Sequence, residues 1–399
     1  MKNPFYLLIA TLCMSLCVLA HAANRSSTLQ APDTLPADKR GMNLDAPHLA
    51  KKIKLGWNIG NTMEATGGET AWGNPLVTNA LLKKVKQSGF DAVRIPLAWQ
   101  QYANPRTHKI DQRWLNRVKQ VVQQSVDNGL YVVINIHWDG GWLEDNINGQ
   151  QISTITAKQQ AYWQQIATTF RDFDQHVLFA SANEPAVETK EQMAELLSYH
   201  QTFIDTVRAT GGRNAYRVLV VQGPVTDIEK TAQLWTQMPI DTVNNRLMVE
   251  VHYYTPYNFT LMSEDKSWGD AFYYWGEGNH SPQQPARNAT WGEEQTLKHL
   301  FKLMHDKFVV NNVPVLLGEF AAMRRSTLSG DNLARNIKSR ADYHTTVVEQ
   351  ALHYGLVPFY WDNGQLTNFG MGIFDRQTNT VFDQATLDAL LKGVKRAHK

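Results

Sequence analysis

The sequence is short of the groups on which several kinds of chemistry depend. Only two cysteines, Cys13 and Cys17, occur in 399 residues, and both lie near the start of the chain. A chain processed past them has neither a disulfide framework nor a thiol nucleophile. Charge is balanced at a formal +2 with no basic block, which argues against nucleic acid as a partner. No later run is long and apolar enough to cross a membrane,. No Gly-rich phosphate loop follows the first strand-like run. His137-Trp138-Asp139 lacks the spaced partners a metal site needs, so neither metal nor cofactor is expected,.

The start of the chain reads as a targeting segment. Lys2 precedes the apolar run from Phe5 to Leu19, and Ala20-His21-Ala22 has the small-x-small form of a cleavage site,. Residues 1–23 are therefore expected to be a signal peptide, since the run is shorter than the roughly 20 residues of a spanning helix. Leu12 and Leu16, not small residues, precede the cysteines, which disfavours a lipoprotein. Residues 24–44 are polar, with Ser26-Ser27-Thr28, Pro32 and Pro36, and read as a short flexible segment,. A single domain is expected over residues 45–399, secreted (extracellular or periplasmic), monomeric and free of the membrane once the leader is cut.

What the chain does have is a 43% apolar content and a heavy load of rings, 12 Trp and 14 Tyr. Eight strand-like runs follow one another: 53–58, 92–96, 131–137, 177–184, 218–222, 247–253, 313–319 and 357–361. Helix-period stretches separate them, among them 76–88, 111–128, 157–173, 188–209, 291–310 and 341–354, with a last helix over 384–397 capped by Asp383,. The poorest helical pattern is 226–238. Eight alternating units predict an α/β fold, a closed (β/α)8 TIM barrel. An open doubly wound sheet is disfavoured by the missing phosphate loop.

Polar residues gather at the ends of these runs: Asn58, Arg94, His137, Asn183, Glu184, Gln222, His252, Glu319 and Trp361. A buried strand has no structural use for a lone carboxylate at its end, yet both Val177–Glu184 and Val313–Glu319 finish that way. Two carboxylates on one face of a barrel suit hydrolysis of a glycosidic bond. The long loop 255–290 carries Tyr257, Trp268, Phe272, Tyr273, Tyr274 and Trp275. It is expected to wall a substrate cleft, the alternative being a self-packed lid.

The segments Leu55-Gly56-Trp57-Asn58-Ile59-Gly60-Asn61-Thr62, Val93-Arg94-Ile95-Pro96, Ile136-His137-Trp138, Asn183-Glu184-Pro185, Val251-His252-Tyr253-Tyr254, Gly318-Glu319-Phe320 and Trp361-Asp362-Asn363-Gly364 resemble family 5 of the glycoside hydrolases. This is the large cellulase family, whose catalytic glutamates sit on strands four and seven. The resemblance implies Glu184 as general acid/base and Glu319 as nucleophile. It places Arg94 and Tyr254 on Glu319 and His252 near Glu184. It gives Asn183 and His137 to sugar hydroxyls and Trp361 to a stacking floor, with Asn61 and Trp72 at more distant sugars. Many relatives have two successive histidines where this chain has His137-Trp138, so Trp138 and its neighbour Trp142 are expected only as aromatic contacts. The implied activity is that of a retaining endo-β-1,4-glucanase (cellulase) acting on β-glucan polysaccharide. Xyloglucan, mixed-linkage glucan and mannan are alternative substrates, and a non-catalytic carbohydrate-binding barrel is the rival from another class.

Overall fold

The computed structural model describes residues 34–398. The expected signal peptide, the polar stretch up to residue 33 and both cysteines lie outside the described residues. Among the described residues, no helix is long and apolar enough to cross a membrane.

Eight parallel strands close into a barrel: β1 Gly56–Ile59, β2 Ala92–Ile95, β3 Tyr131–Asn135, β4 Val177–Ala180, β5 Leu219–Gln222, β6 Leu247–Tyr253, β7 Val315–Phe320 and β8 Leu356–Asp362. The principal helices that follow them are α1 Asn79–Gln87, α2 Gln112–Asp127, α3 Ile152–Phe170, α4 Lys190–Ala209, α5 Ile228–Leu234, α6 Glu294–Lys307, α7 Gly330–His353 and α8 Gln384–Ala397. Residues alternate between two environments along each strand, as a period of two requires. Ala92, Val133, Leu178, Val220, Met248, Leu316 and Phe359 form a compact cluster inside the barrel. Val93, Val132, Phe179, Leu219, Val249, Leu317 and Tyr360 join the larger cluster shared with the helices. One step above the inner apolar layer, the inward positions turn polar: Asn58, Arg94, Asn135, Gln222 and Glu250, all fully buried.

β7 breaks the alternation at Gly318. Val251 pairs with Leu317 but His252 pairs with Glu319, so Gly318 is an extra residue in the strand. Leu317 pairs with Pro358 while Phe320 pairs with Tyr360, the same slip seen from the other side. Strict alternation would put Glu319 on the helix-facing side with Leu317. The bulge instead returns Phe320 to the outer cluster and aims Glu319 at the mouth of the barrel,. Gly318 is also forced by space: a Cβ there would lie 2.0 Å from the Glu250 Oε1 atom.

The expected flexible segment is docked where it is described. Leu35–Ala37 pairs in parallel with Gly211–Gly212, Arg246 Nη2 donates to the Met42 carbonyl at 3.0 Å, and Met42 is fully buried. Polar composition concealed this because the attachment is made by backbone groups. A side chain at Gly211 would meet the Leu35 carbonyl at 1.8 Å. α7 begins eleven residues before the expected 341. Its polar first turns are held by the 255–290 loop, through Asn332 to the Tyr274 hydroxyl at 3.1 Å and Asn336 to the Tyr273 carbonyl at 2.7 Å. In that loop Phe272, Tyr274 and Trp275 are buried, whereas Tyr257 and Trp268 are exposed. Its core is thus self-packed, and only its outer rings face solvent.

Gly318→Ala is expected to destabilise the protein by about 1–3 kcal/mol through overpacking. Gly278→Ala, which meets nothing within 4 Å, is the matched control. Chemical denaturation of both variants checks this; equal midpoints would contradict it.

Candidate active site

Arg94, on β2, is fully buried at the barrel mouth. Its Nη1 donates to Glu319 Oε1 at 2.9 Å and to Asn58 Oδ1 at 3.0 Å, and its Nη2 donates to Asn183 Oδ1 at 2.8 Å. Nε lies 2.9 Å from Glu250 Oε1, but off the N–H direction, so that contact is one of charge, not a hydrogen bond. One guanidinium therefore ties together β1, β2, β6, β7 and the turn after β4.

The two carboxylates expected from sequence meet across this hub. Glu319 accepts from Arg94 and, at 3.0 Å on Oε2, from the Tyr254 hydroxyl. Glu184 Oε1 lies 2.6 Å from His252 Nδ1. Thr226 Oγ1 approaches the same oxygen at 3.5 Å from a turn in which Val225 and Thr226 both have positive φ. Such backbone is costly for β-branched residues and marks a segment held by its surroundings. His252 Nδ1 is also 3.7 Å from Glu319 Oε2, and its Nε2 is 3.3 Å from Glu250 Oε1. Glu250 is anchored from behind by Gln222 Nε2 at 2.6 Å. One oxygen of Glu184, one of Glu319 and a nitrogen of His252 all fall within 4.8 Å of one another.

Three carboxylates thus share two cations. Burial would lower the His252 pKa, but Glu319, Glu184 and Glu250 overcome it and push the imidazole up to about 10,. The imidazole and the three carboxylates around it thus form an ion network. Burial pushes the Glu184 carboxyl up, yet the His252 hydrogen bond and charge, with Arg94, bring it below its ordinary value. Burial raises Glu319, and the Glu184 charge adds to this against His252 and Arg94. Arg94 makes the contact expected of it without reversing that rise in the free protein. His137 is held well below its usual value by burial, Arg94 and His252, and is neutral. Its ring lies parallel to Trp361, with centroids 5.9 Å apart and an interplanar angle of 7°.

The remaining expected residues stand apart from this network. Asn61, with a φ of 56°, donates its backbone N–H to Glu64. It lies with the exposed Trp72 in the β1–α1 connection. Trp138 is exposed and donates to Asp145 Oδ2 at 3.2 Å. Trp142 is a core residue, edge-on to Tyr162 with its Nε1 3.0 Å from Asp139 Oδ2. Two carboxylates escaped the sequence reading. Glu250 sits mid-strand, where only the inward parity of β6 would have exposed it. Glu144, in a short turn after β3, accepts the backbone N–H groups of Asn183 and Glu184.

A (β/α)8 barrel with two carboxylates converging beside an arginine at the strand ends defines a glycoside hydrolase architecture. The sequence pattern of the Cellulase family (glycosyl hydrolase family 5) matches residues 58–366, and the chain belongs to that family. A xyloglucan-specific endo-beta-1,4-glucanase of Bacteroides ovatus is 39% identical over 375 residues, covering 90% of this chain and 72% of that protein. Endoglucanase A of Paenibacillus barcinonensis is 36% identical over 384 residues, covering 90% and 92%. Among solved structures, the Bacteroides ovatus family 5 xyloglucanase in complex with a XXXG heptasaccharide superposes with a TM-score of 0.84. It is 37% identical and covers 91% of this chain and 79% of that one. A broad-specificity endoglucanase from Ruminococcus champanellensis with bound cellotriose gives 0.75 at 31% identity, covering 88% and 99%.

The His252 shift carries a pH signature. Its folded pKa is above the unfolded one, so its stabilisation is complete below the unfolded value, about 6.5. It is lost as pH rises to about 10,. The stability gap between wild type and His252→Gln is expected to be widest near pH 6 and to shrink steadily towards pH 10 in denaturant titrations. A gap independent of pH would contradict the charge assignment.

Proposed function

We propose that the protein is a retaining endo-β-1,4-glucanase, with Glu319 as nucleophile and Glu184 as general acid and then general base. The supporting observation is the placement of one oxygen from each carboxylate within 4.8 Å. Retaining enzymes hold the two groups about 5–5.5 Å apart, whereas inverting enzymes leave roughly 6.5–9.5 Å for a water.

The first step needs Glu184 protonated and Glu319 ionised, whereas in the free site the Glu184 carboxyl is held below its ordinary range and that of Glu319 above its own. Substrate supplies the change. The Glu184 side chain is 39% exposed and that of Glu319 only 7%. A glycosidic oxygen seated on Glu184 strips its remaining water and raises its pKa, whereas Glu319 has little left to lose. Positive charge growing at the anomeric carbon then favours the ionised form of Glu319. Glu319 attacks that carbon, the C–O bond to the leaving sugar breaks, and Glu184 delivers its proton to the departing oxygen. In the second step Glu184, now ionised, takes a proton from water as it attacks the glycosyl-enzyme ester and frees Glu319. The Asn183 amide oxygen is engaged by Arg94, so its NH2 is the end offered to the sugar 2-hydroxyl. Neutral His137 binds a neighbouring hydroxyl, and Trp361 forms the floor. Asn61, Trp72 and Trp138 are assigned to sugars further along the cleft. Only substrate and water enter the scheme, and the enzyme acts as a secreted monomer.

Within the β-1,4-glucans we favour xyloglucan. Three solved xyloglucanases are 36–37% identical to this chain, whereas five similar cellotriose-bound or broad-specificity endoglucanases are at 26–31%. Initial rates on xyloglucan, carboxymethyl cellulose, barley β-glucan and glucomannan test both readings. Xyloglucan is expected to be cut fastest, and Glu184→Gln to lose about 10²–10⁴-fold on every polymer cut. A preference for glucomannan would remove the glucanase reading. Silence on all four would remove the hydrolase reading in favour of binding.

A further inference from the structure

Glu144 is 4% exposed, and no cation pairs with it among the described residues. An ionisable group buried without a counter-ion is costly, so its partners are informative. Its Oε1 accepts the backbone N–H of Asn183 at 2.9 Å and that of Glu184 at 2.6 Å. Its own carbonyl accepts the N–H of Ala186 at 3.0 Å. Between these bonds lies Pro185, which has no N–H to offer. Every backbone donor of the 183–186 turn is thereby tied to one residue of the β3–α3 connection. From the opposite side, the Pro185 carbonyl accepts the Val225 N–H at 2.8 Å. The turn carrying Glu184 has no regular strand pairing of its own, since β4 ends at Ala180.

We infer that Glu144 is a positioning residue for proton delivery, its carboxyl oxygen fixing the backbone of Asn183 and Glu184 so that the Glu184 carboxyl meets the glycosidic oxygen. The inference rests on the hydrolase reading above. Burial, together with the neighbouring charges of Glu184 and Asp145, moves the Glu144 carboxyl up to about 8. It therefore presents its acceptor oxygen near neutrality mostly as a neutral acid. An amide would reproduce that acceptor, whereas a shorter carboxylate would not reach.

Two synthetic β-cellobiosides separate this role from simple support of the fold. A phenyl glycoside needs a proton on its leaving oxygen. A 2,4-dinitrophenyl glycoside leaves as a stable phenolate and does not. In Glu144→Ala, kcat/KM on the phenyl glycoside is expected to fall about 10–100-fold, the scale of a misplaced catalytic group. On the dinitrophenyl glycoside the loss should be at least about fivefold smaller, because that substrate needs no proton from Glu184 and registers only the disturbed contact of Asn183 with the sugar,. Glu144→Gln should restore most of the phenyl activity. Glu144→Asp, which shortens the reach by one methylene, should show the same split and serves if the alanine variant does not fold. Equal losses on both substrates, or a glutamine variant no better than alanine, would overturn the inference. Wild type that cleaves neither glycoside nor any of the four polymers would instead overturn the hydrolase reading on which it rests; if only xyloglucan is cut, the same pair of aryl leaving groups is carried on a xyloglucan heptasaccharide.

Discussion

Everything at the barrel mouth depends on the Arg94 guanidinium being buried with its charge intact. It has no solvent contact and is surrounded by Asn58, Asn183, Glu250 and Glu319. A buried cation is tolerated only when it is paired and hydrogen-bonded, so these residues are as much a condition of Arg94 as Arg94 is of their positions. The planar fork of donors suits the task, because it fixes directions to several strands at once. A lysine could supply the charge but not the geometry.

The second cation, His252, gives the network its proton-handling character. Glu184, Glu250 and Glu319 compete for it, so charge at any one of them is felt by the others. Titration of the cluster therefore belongs to the group more than to single residues. In the free site His252 and Arg94 hold the Glu184 carboxyl below its ordinary range, while burial holds Glu319 above its own; under the proposed mechanism, substrate covering the more exposed Glu184 brings about the order needed for cleavage. The proposed mechanism would in this way tie proton delivery to correct seating of the sugar chain.

Much of this was legible in the sequence. The eight strands, the closed barrel and the Glu184 and Glu319 pair follow from apolar runs ending in polar residues, whereas the contacts of Arg94, Tyr254 and His252 are implied by the resemblance to family 5. What was hidden depends on parity, slip or packing. Glu250 is masked inside an apolar run, because sequence does not say which alternate positions face inward. Gly318 reads as an ordinary glycine, although it is the extra residue that turns Glu319 towards the cleft. Glu144 acts on backbone donors, which carry no residue signature. The docking of residues 35–44 and the polar start of α7 are likewise set by backbone and tertiary contacts. Trp142 shows the converse: a ring expected near sugar fills core against Tyr162.

The most direct test is to trap the covalent intermediate. A 2-deoxy-2-fluoro-cellobioside with a good leaving group slows both steps by destabilising positive charge at the anomeric carbon, and slows turnover of the ester most. After incubation, intact mass should rise by one fluoro-cellobiosyl unit, and peptide mapping should place it on Glu319. Label on Glu184 or on any other residue, or no adduct despite steady hydrolysis of the unfluorinated glycoside, would contradict the nucleophile assignment and the retaining mechanism with it.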